Sequence, residues 1–273
     1  VLVCSFRFSV VSLRVELQTA NCQLETSRSL AIDLGNTYAK TGLFSGNDLL
    51  ETRTRLAFAE LIGYAETVRP DGIVVSSTAR TEADFRADFA AITPHVLLLT
   101  PQTPVPLTKR YDTPHTLGAD RVAAAVGAGV RFPGKNCVVI DLGTCITADY
   151  VDADRVFHGG LISPGLRMRF RAMQAFTQRL PLIEVDPGEP WPDLVGTSTR
   201  GAMRSGVLNG LVAELTGLIR QYREQFPDFQ VVLCGGDAPV FESRLKESTF
   251  AVPELVLVGL HRILQHNAIS SQQ

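Results

Sequence analysis

The sequence predicts an α/β fold of two related lobes with mixed central sheets, and three observations carry that prediction. The first is Leu30-Ala31-Ile32-Asp33-Leu34-Gly35-Asn36-Thr37-Tyr38-Ala39-Lys40, an apolar run that bends at an acidic, glycine-bearing turn and leaves on a second run of strand pattern. The second is a repeat of that pattern: Cys137-Val138-Val139-Ile140 runs into Asp141-Leu142-Gly143-Thr144, and a further strand pattern follows to Val151. The third is helical periodicity interleaved with short apolar runs such as Gly72-Ile73-Val74-Val75-Ser76-Ser77, the kind of strand that lies inside a mixed sheet.

The two turns carry chemistry as well as shape. Gly35 has no Cβ, so the backbone can bend there and bring its N–H groups close to a bulky anion. Asn36 and Thr37 add short polar donors, and Lys40 adds positive charge. Asp33 has the wrong sign for phosphate, which makes sense with a hydrated Mg²⁺ between them. A single such stretch is equally well an ordinary hairpin in which Asp and Asn satisfy local backbone groups. A turn repeated in each half points instead to two related lobes with a nucleotide between them.

At 273 residues the chain is long enough for one large domain or two modest ones, and its 45% apolar content is ample for a core. A net charge of −2 with scattered Lys and Arg excludes a nucleic-acid footprint, and no run is long enough to span a membrane. Cys4, Cys22, Cys137, Cys145 and Cys234 contain no C-x-x-C pair and are expected as reduced thiols, which fits a cytoplasmic protein. Residues 1–28, interrupted by Arg7 and Arg14 and lacking a secretory pattern, are expected as an extension outside the main fold. An added edge strand, disorder and a start-site artefact all fit that stretch.

Taken in order, strands are expected over 29–35, 38–45 and 49–56, with Gly46-Asn47-Asp48 as the second turn. A helix over 58–68 ends at Pro70-Asp71-Gly72; strand 72–77, helix 82–91 and strand 95–100 complete a βββαβαβ lobe. Residues 101–114 hold four prolines, which disfavour helix and central strand and mark a linker or active-site loop. The small-residue stretch 120–130 reads as a helix able to pack close to another backbone. From Asn136 the second lobe offers strands 137–142, 146–151 and 155–157, then the glycine-rich stretch His158 to Gly165. There Ser163 fits an N-cap and Pro164 the first turn of a helix over 166–176. Gly196-Thr197-Ser198-Thr199 opens the longest helix, 199–225. Strand 229–233 ends in Gly235-Gly236-Asp237, helices follow over 239–246 and 254–264, and residues 265–273 are expected as a polar, frayed tail.

Together these segments resemble type III pantothenate kinase, of the acetate and sugar kinase, heat-shock ATPase and actin superfamily. The resemblance covers residues 30–264 and is carried by Asp33 to Thr37 with Lys40, Gly118-Ala119-Asp120-Arg121, Asp141-Leu142-Gly143-Thr144, Gly159-Gly160 with Ser163-Pro164-Gly165, Gly196 with Thr199, Gly235-Gly236-Asp237 and Leu255 to Leu260. It implies two ribonuclease-H-like lobes in an actin-like ATPase fold, over 29–117 and 118–264, and a homodimer. It also implies ATP-dependent phosphorylation of pantothenate on its primary hydroxyl, the first step towards coenzyme A. Carried over by position, Asp33, Leu34, Gly35, Asn36, Thr37, Tyr38, Ala39 and Lys40 would hold the phosphates of ATP, with Mg²⁺ bound through water at Asp33. Thr144 would meet phosphate from the other lobe, and Asp141 matches a monovalent cation position taking K⁺ or NH₄⁺. Tyr111, Gly118, Ala119, Asp120, Arg121 and Thr199 match pantothenate-holding positions, with Asp120 as proton acceptor. Two positions depart from the family pattern: Ser198 stands where Asn is usual, and Cys145 where Ala is usual.

Phosphoryl transfer leaves the protein mainly to align groups and to neutralise spread charge. Asp120 need only orient the acceptor hydroxyl and take its proton late. Arg121 beside it either keeps Asp120 charged or reaches the substrate carboxylate, and an exposed Asp-Arg pair capping a helix is the plain alternative. Asp141 fits a turn carboxylate as well as a cation ligand. His115 and His158 have no metal-ligand spacing and are expected to be non-catalytic. A catalytically weak regulatory or binding protein on the same fold is the rival reading; a phosphatase or sugar-type kinase is disfavoured by Gly118 to Arg121.

Overall fold

The computed structural model describes residues 27–35, 38–77, 80–186, 188–226, 228–245 and 247–270. Residues 1–26 of the expected 1–28 extension, with Cys4 and Cys22, Asn36 and Thr37 of the first turn, and the last three tail residues lie outside the described residues, while Arg28 begins the first strand. The chain forms two units, one running to Val105 and taking in Leu260 onwards, the other Pro106–Gly259.

The first unit contains β1 (Arg28–Leu34), β2 (Ala39–Ser45), β3 (Asp48–Leu56), α1 (Phe58–Val68), β4 (Gly72–Ser77), α2 (Glu82–Phe89) and β5 (Val96–Leu98), which is the expected βββαβαβ order. Its sheet runs β3-β2-β1-β4-β5, with β1 antiparallel to β2 and parallel to β4. Gly46, at φ 54°, makes the turn into β3 in the left-handed region where a glycine has no Cβ to clash. The apolar stripes of the helices, Leu61, Tyr64 and Ala65 on α1 with Phe85 and Phe89 on α2, cover Leu30, Ile32, Ile73 and Val75 of the central strands. A reciprocal box starts α2, with Asp84 N–H donating to Thr81 Oγ1 at 3.3 Å and Thr81 N–H to Asp84 Oδ2 at 2.9 Å.

The second unit contains β6 (Thr108–Lys109), α3 (Ala119–Arg131), β7 (Asn136–Leu142), β8 (Cys145–Val151), β9 (Val156–Pro164), α4 (Leu166–Ala175), α5 (Thr199–Gln225), β10 (Phe229–Cys234), α6 (Ala238–Phe241) and β11 (Thr249–Ala251). The sheet order is β11-β10-β7-β8-β9-β6. Leu166 and Phe170 of α4 and Leu208, Leu211, Leu215 and Ile219 of α5 bury one face of it, packed in a cluster with Val138, Ile140 and Leu142. The last helix, α7 (Leu255–Ser270), begins in this unit and continues into the first. Its start meets the small residues of α3 closely: a Cβ on Gly127 would overlap the Leu255 carbonyl, and one on Gly259 the Ala123 carbonyl. The expected tight packing of the alanine-rich helix is therefore present.

Three expectations are revised. The units divide at Val105/Pro106 rather than at 117/118, because the proline-rich loop contains β6, whose Thr108 N–H donates to Arg155 O and whose neighbour Arg110 donates to Phe157 O, each at 2.9 Å. The glycine-rich stretch continues β9 to Pro164, so Ser163 is a strand residue and Gly165, not Ser163, is the N-cap of α4. Residues 265–270 are helical rather than frayed. Their polar side chains find partners there, with Gln265 donating to Asn47 Oδ1 at 3.0 Å and Asn267 to Pro104 O at 2.9 Å. On the same helix His261 is buried, its Nδ1 2.8 Å from Ser29 Oγ and its ring stacked on Phe44, and burial lowers its pKa to about 4.

Candidate active site

In the first unit Asp33 stands directly across the β1–β2 ladder from Lys40, so the turn carries an acid and a base on facing strands. Gly35 N–H donates to Tyr38 O at 3.2 Å and closes the turn, whose two central residues are the undescribed Asn36 and Thr37. Leu34 and Ser77 are register partners at the parallel C-terminal ends of β1 and β4, the end of an open α/β sheet where ligands bind. Ala39 is buried beneath the turn, while Tyr38 is half exposed.

The second unit repeats the device with one residue fewer. Asp141 occupies the place of Asp33 in β7, Gly143 N–H donates to Cys145 O at 3.1 Å, and Thr147 stands across the ladder where Lys40 stands in the first hairpin. Two further glycines close on this turn. Gly165 donates to Thr144 O at 3.2 Å, and a Cβ there would overlap the Gly143 and Thr144 carbonyls, so α4 must start against the turn. Gly235, at φ 91°, passes beside Asp141 Oδ1 and Leu142, and Asp237 N–H donates to Leu142 O at 2.9 Å. A side-chain clamp fixes the approach: Ser163 Oγ donates to Glu214 Oε1 at 2.6 Å, and Arg169 joins Glu214 Oε2 at 2.7 Å and the Pro164 carbonyl at 2.9 Å.

The Gly118 to Arg121 segment opens α3. Asp120 is exposed, and its Oδ1 accepts the Arg121 backbone N–H at 2.8 Å. A Cβ on Gly118 would come within 2.5 Å of that same oxygen, so the glycine leaves the carboxylate room to fold over the helix start. Arg121 does not form the exposed Asp-Arg pair considered from the sequence. Its side chain is 6% exposed and bonds Asp149 through both edges, Nε to Oδ2 at 3.0 Å and the terminal nitrogen to Oδ1 at 2.5 Å. Burial opposes the guanidinium charge, and the bonds to Asp149 and Tyr111 outweigh it and raise its pKa; burial raises the Asp149 carboxyl, with Arg121 pulling against it. Tyr111 lies over Gly159, where a Cβ would meet its ring at 3.3 Å, and its ring centre is 5.8 Å from the Arg121 guanidinium.

The structure therefore joins Tyr111, Arg121 and Asp120 in one cluster and Asp141 with Thr144 in another, both within the second unit. Thr199 is exposed in the first turn of α5, behind the Ser198 N-cap that accepts Gly201 N–H at 3.0 Å; among the described residues no hydrogen bond links it to Tyr111, Asp120 or Arg121. Sequence reasoning missed Asp149. The signal was present, since Ile146, Ala148 and Tyr150 alternate into the core and an acid on the intervening positions of a buried strand demands a partner. Gly160 is its register partner on β9, where a Cβ would stand 2.6 Å from Asp149 Oδ1. His158 bonds Asp152 Oδ2 at 2.6 Å, which accounts for it structurally. Among the described residues no three His, Cys, Asp or Glu side chains gather into a metal cage, and no helix is long and apolar enough to cross a membrane.

A family model described as type III pantothenate kinase matches residues 29–221. The type III pantothenate kinase of Cytophaga hutchinsonii is 44% identical over 239 residues, covering 88% of this chain and 99% of the relative; that of Bacteroides fragilis is 41% identical over 243 residues, covering 88% and 98%. Among solved structures, the activator of the 2-hydroxyisocaproyl-CoA dehydratase from Clostridium difficile, with bound ADPNP, superposes with a TM-score of 0.55 at 14% identity over 90% of this chain and 97% of that one. That likeness is one of fold, the actin-like ATPase fold with two mixed sheets. Matched by the family model over most of its length and by relatives almost end to end, the chain belongs to the type III pantothenate kinase family.

Proposed function

We infer that this chain transfers the γ-phosphoryl group of ATP to the primary hydroxyl of pantothenate, giving 4'-phosphopantothenate and opening coenzyme A biosynthesis. Beside the family membership, the observation that carries the reading is the Asp141 to Thr144 turn with the backbones of Gly165 and Gly235 closed against it. Side chains are absent at the three glycines, so nothing but main chain limits how closely a phosphate chain can approach the turn. No finding favours the rival reading of a weak regulatory protein on the same fold.

In this reading the Asp33 to Lys40 turn and Thr144 hold the phosphate chain. Asp120, exposed at the start of α3 with one oxygen on a backbone N–H, keeps its other oxygen for the acceptor hydroxyl, orients it and takes its proton late. Tyr111, Gly118, Ala119, Arg121 and Thr199 hold pantothenate. ATP is used with a divalent metal, and Mg²⁺ fits the donor set: it takes one or two carboxylates plus substrate phosphates and keeps several waters, which Asp33 supplies without a protein cage. When bound, the metal supplies positive charge against the phosphate oxygens. A monovalent cation, K⁺ or NH₄⁺, belongs at Asp141, whose carboxylate supplies an oxygen ligand at the tip of β7.

The kinase works as a homodimer in the cytoplasm. Ile162 of β9, together with Phe176, Leu194 and Val195 between α4 and α5, is among the most exposed large apolar residues, at 62% to 89%, and a second copy of the chain is the partner proposed to cover them. A solution mass of one chain would remove the dimer from this account. The activity is tested by coupled ADP release with pantothenate and Mg²⁺, in K⁺ and then in Na⁺. Turnover that requires pantothenate and falls in Na⁺ is expected; turnover indifferent to the cation would displace it from Asp141, and none in any salt would remove the kinase reading.

A further inference from the structure

We propose that Arg167 binds the phosphate chain of ATP, held for that task by Asp237; the proposal deepens the nucleotide reading given above and rests on it. Arg167 is the second residue of α4, whose N-cap Gly165 is pressed on the Gly143 and Thr144 carbonyls. Asp237 follows Gly235-Gly236, is buried, and is tied by its N–H to Leu142 O of the same turn. One guanidinium N–H of Arg167 donates to Asp237 Oδ1, yet the Arg167 side chain stays 55% exposed while that of Asp237 is 6% exposed. The guanidinium is thus anchored by one edge, and its remaining donors face outward beside the phosphate-type turn.

Two features make this more than a surface ion pair. An arginine in the first turn of a helix opposes the macrodipole, whose positive end lies there, and the exposed side chain gains little packing to offset the cost. An anion at that position would instead be favoured by helix and guanidinium together. The charge balance of the unit points the same way. Asp141 and Asp237 bring two negative charges to the turn, and Thr147 replaces the lysine that the first hairpin carries across from its acid. Arg167 adds a fixed cation beside the monovalent one assigned to Asp141, with a planar fork suited to phosphate oxygens.

The test compares the intact protein with Arg167→Gln and Arg167→Lys in steady-state assays varying ATP and pantothenate separately, with ADP and adenosine as competitive inhibitors. Losing a charge-assisted bond to phosphate is expected to raise KM for ATP and Ki for ADP in Arg167→Gln by about 10- to 100-fold. KM for pantothenate and Ki for adenosine stay within twofold, and Arg167→Lys falls between parent and Gln. Parent turnover with pantothenate tests the kinase reading on its own. With that turnover present, an unchanged KM for ATP in Arg167→Gln overturns the proposal, as does an equal rise for adenosine and ADP, which would mark a general distortion. Should the Gln variant fold poorly, Arg167→Lys decides: a partial loss of ADP affinity with adenosine unchanged supports phosphate recognition, and equal losses of ADP and adenosine, or no loss of either, overturn it.

Discussion

Replacing Asp120 by Asn is expected to lower kcat by about 10²- to 10⁴-fold, the range for loss of a positioned proton acceptor, while KM for ATP stays near the parent value. The amide keeps the shape of the side chain and can still accept the Arg121 backbone N–H at the helix start, so the fold is retained. What it loses is the charge and basicity of the oxygen assigned to the acceptor hydroxyl. Because that carboxylate is exposed and its alcohol partner hardly ionises at neutral pH, the effect belongs to the transition state and appears in kcat rather than in nucleotide binding. Measurement of kcat and both KM values in the variant checks this. Parental kcat would remove Asp120 from its role, and a rise confined to KM for ATP would move it to the nucleotide side.

The second large effect is on stability. Asp149→Ala leaves the Arg121 guanidinium, 6% exposed, without its bidentate partner, and an arginine does not neutralise itself by losing a proton. Removing one member of a buried pair costs about 3–5 kcal/mol, far above what a solvent-exposed pair such as Arg53–Glu51 contributes. For a protein of this size that shift lowers Tm by roughly 5–10 °C. Urea unfolding of Asp149→Ala measures it directly, and a loss below about 1 kcal/mol would mean that water or another group satisfies Arg121. The double variant Arg121→Met with Asp149→Leu is expected to recover much of the stability, since it removes the orphaned charge. Its pantothenate affinity is expected to stay low, because the floor beneath Tyr111 has lost its cation.

The first lobe was the most legible part of the fold because its signals are local. Apolar runs of strand length, the Gly46 turn and the stripe of α1 each specify their element without help from distant residues. The path of β9 was not legible, because two glycines and a proline ordinarily break a strand. Here Gly160 is required by Asp149 across the ladder, a demand visible only once β8 and β9 are paired. The same non-local pairing hid the Arg121–Asp149 bond, whose partners are 28 residues apart. Likewise the last turns of α7 hold their helix through Asn47 and Pro104, far away in sequence. The turn motifs and the Gly118 to Arg121 segment could be named from residue order; which way Arg121 faces could not, because burial is a property of the packed unit.

The central claim is that ATP's terminal phosphoryl group ends on the primary hydroxyl of pantothenate. Incubating the purified chain with ATP, Mg²⁺, K⁺ and pantothenate, and identifying the product by mass spectrometry and phosphorus NMR, tests it most directly. The account predicts pantothenate carrying one phosphoryl group on its primary hydroxyl, formed in step with ADP and absent when ATP is omitted. ADP accumulating beside unmodified pantothenate, or phosphate found on the secondary hydroxyl, would contradict it.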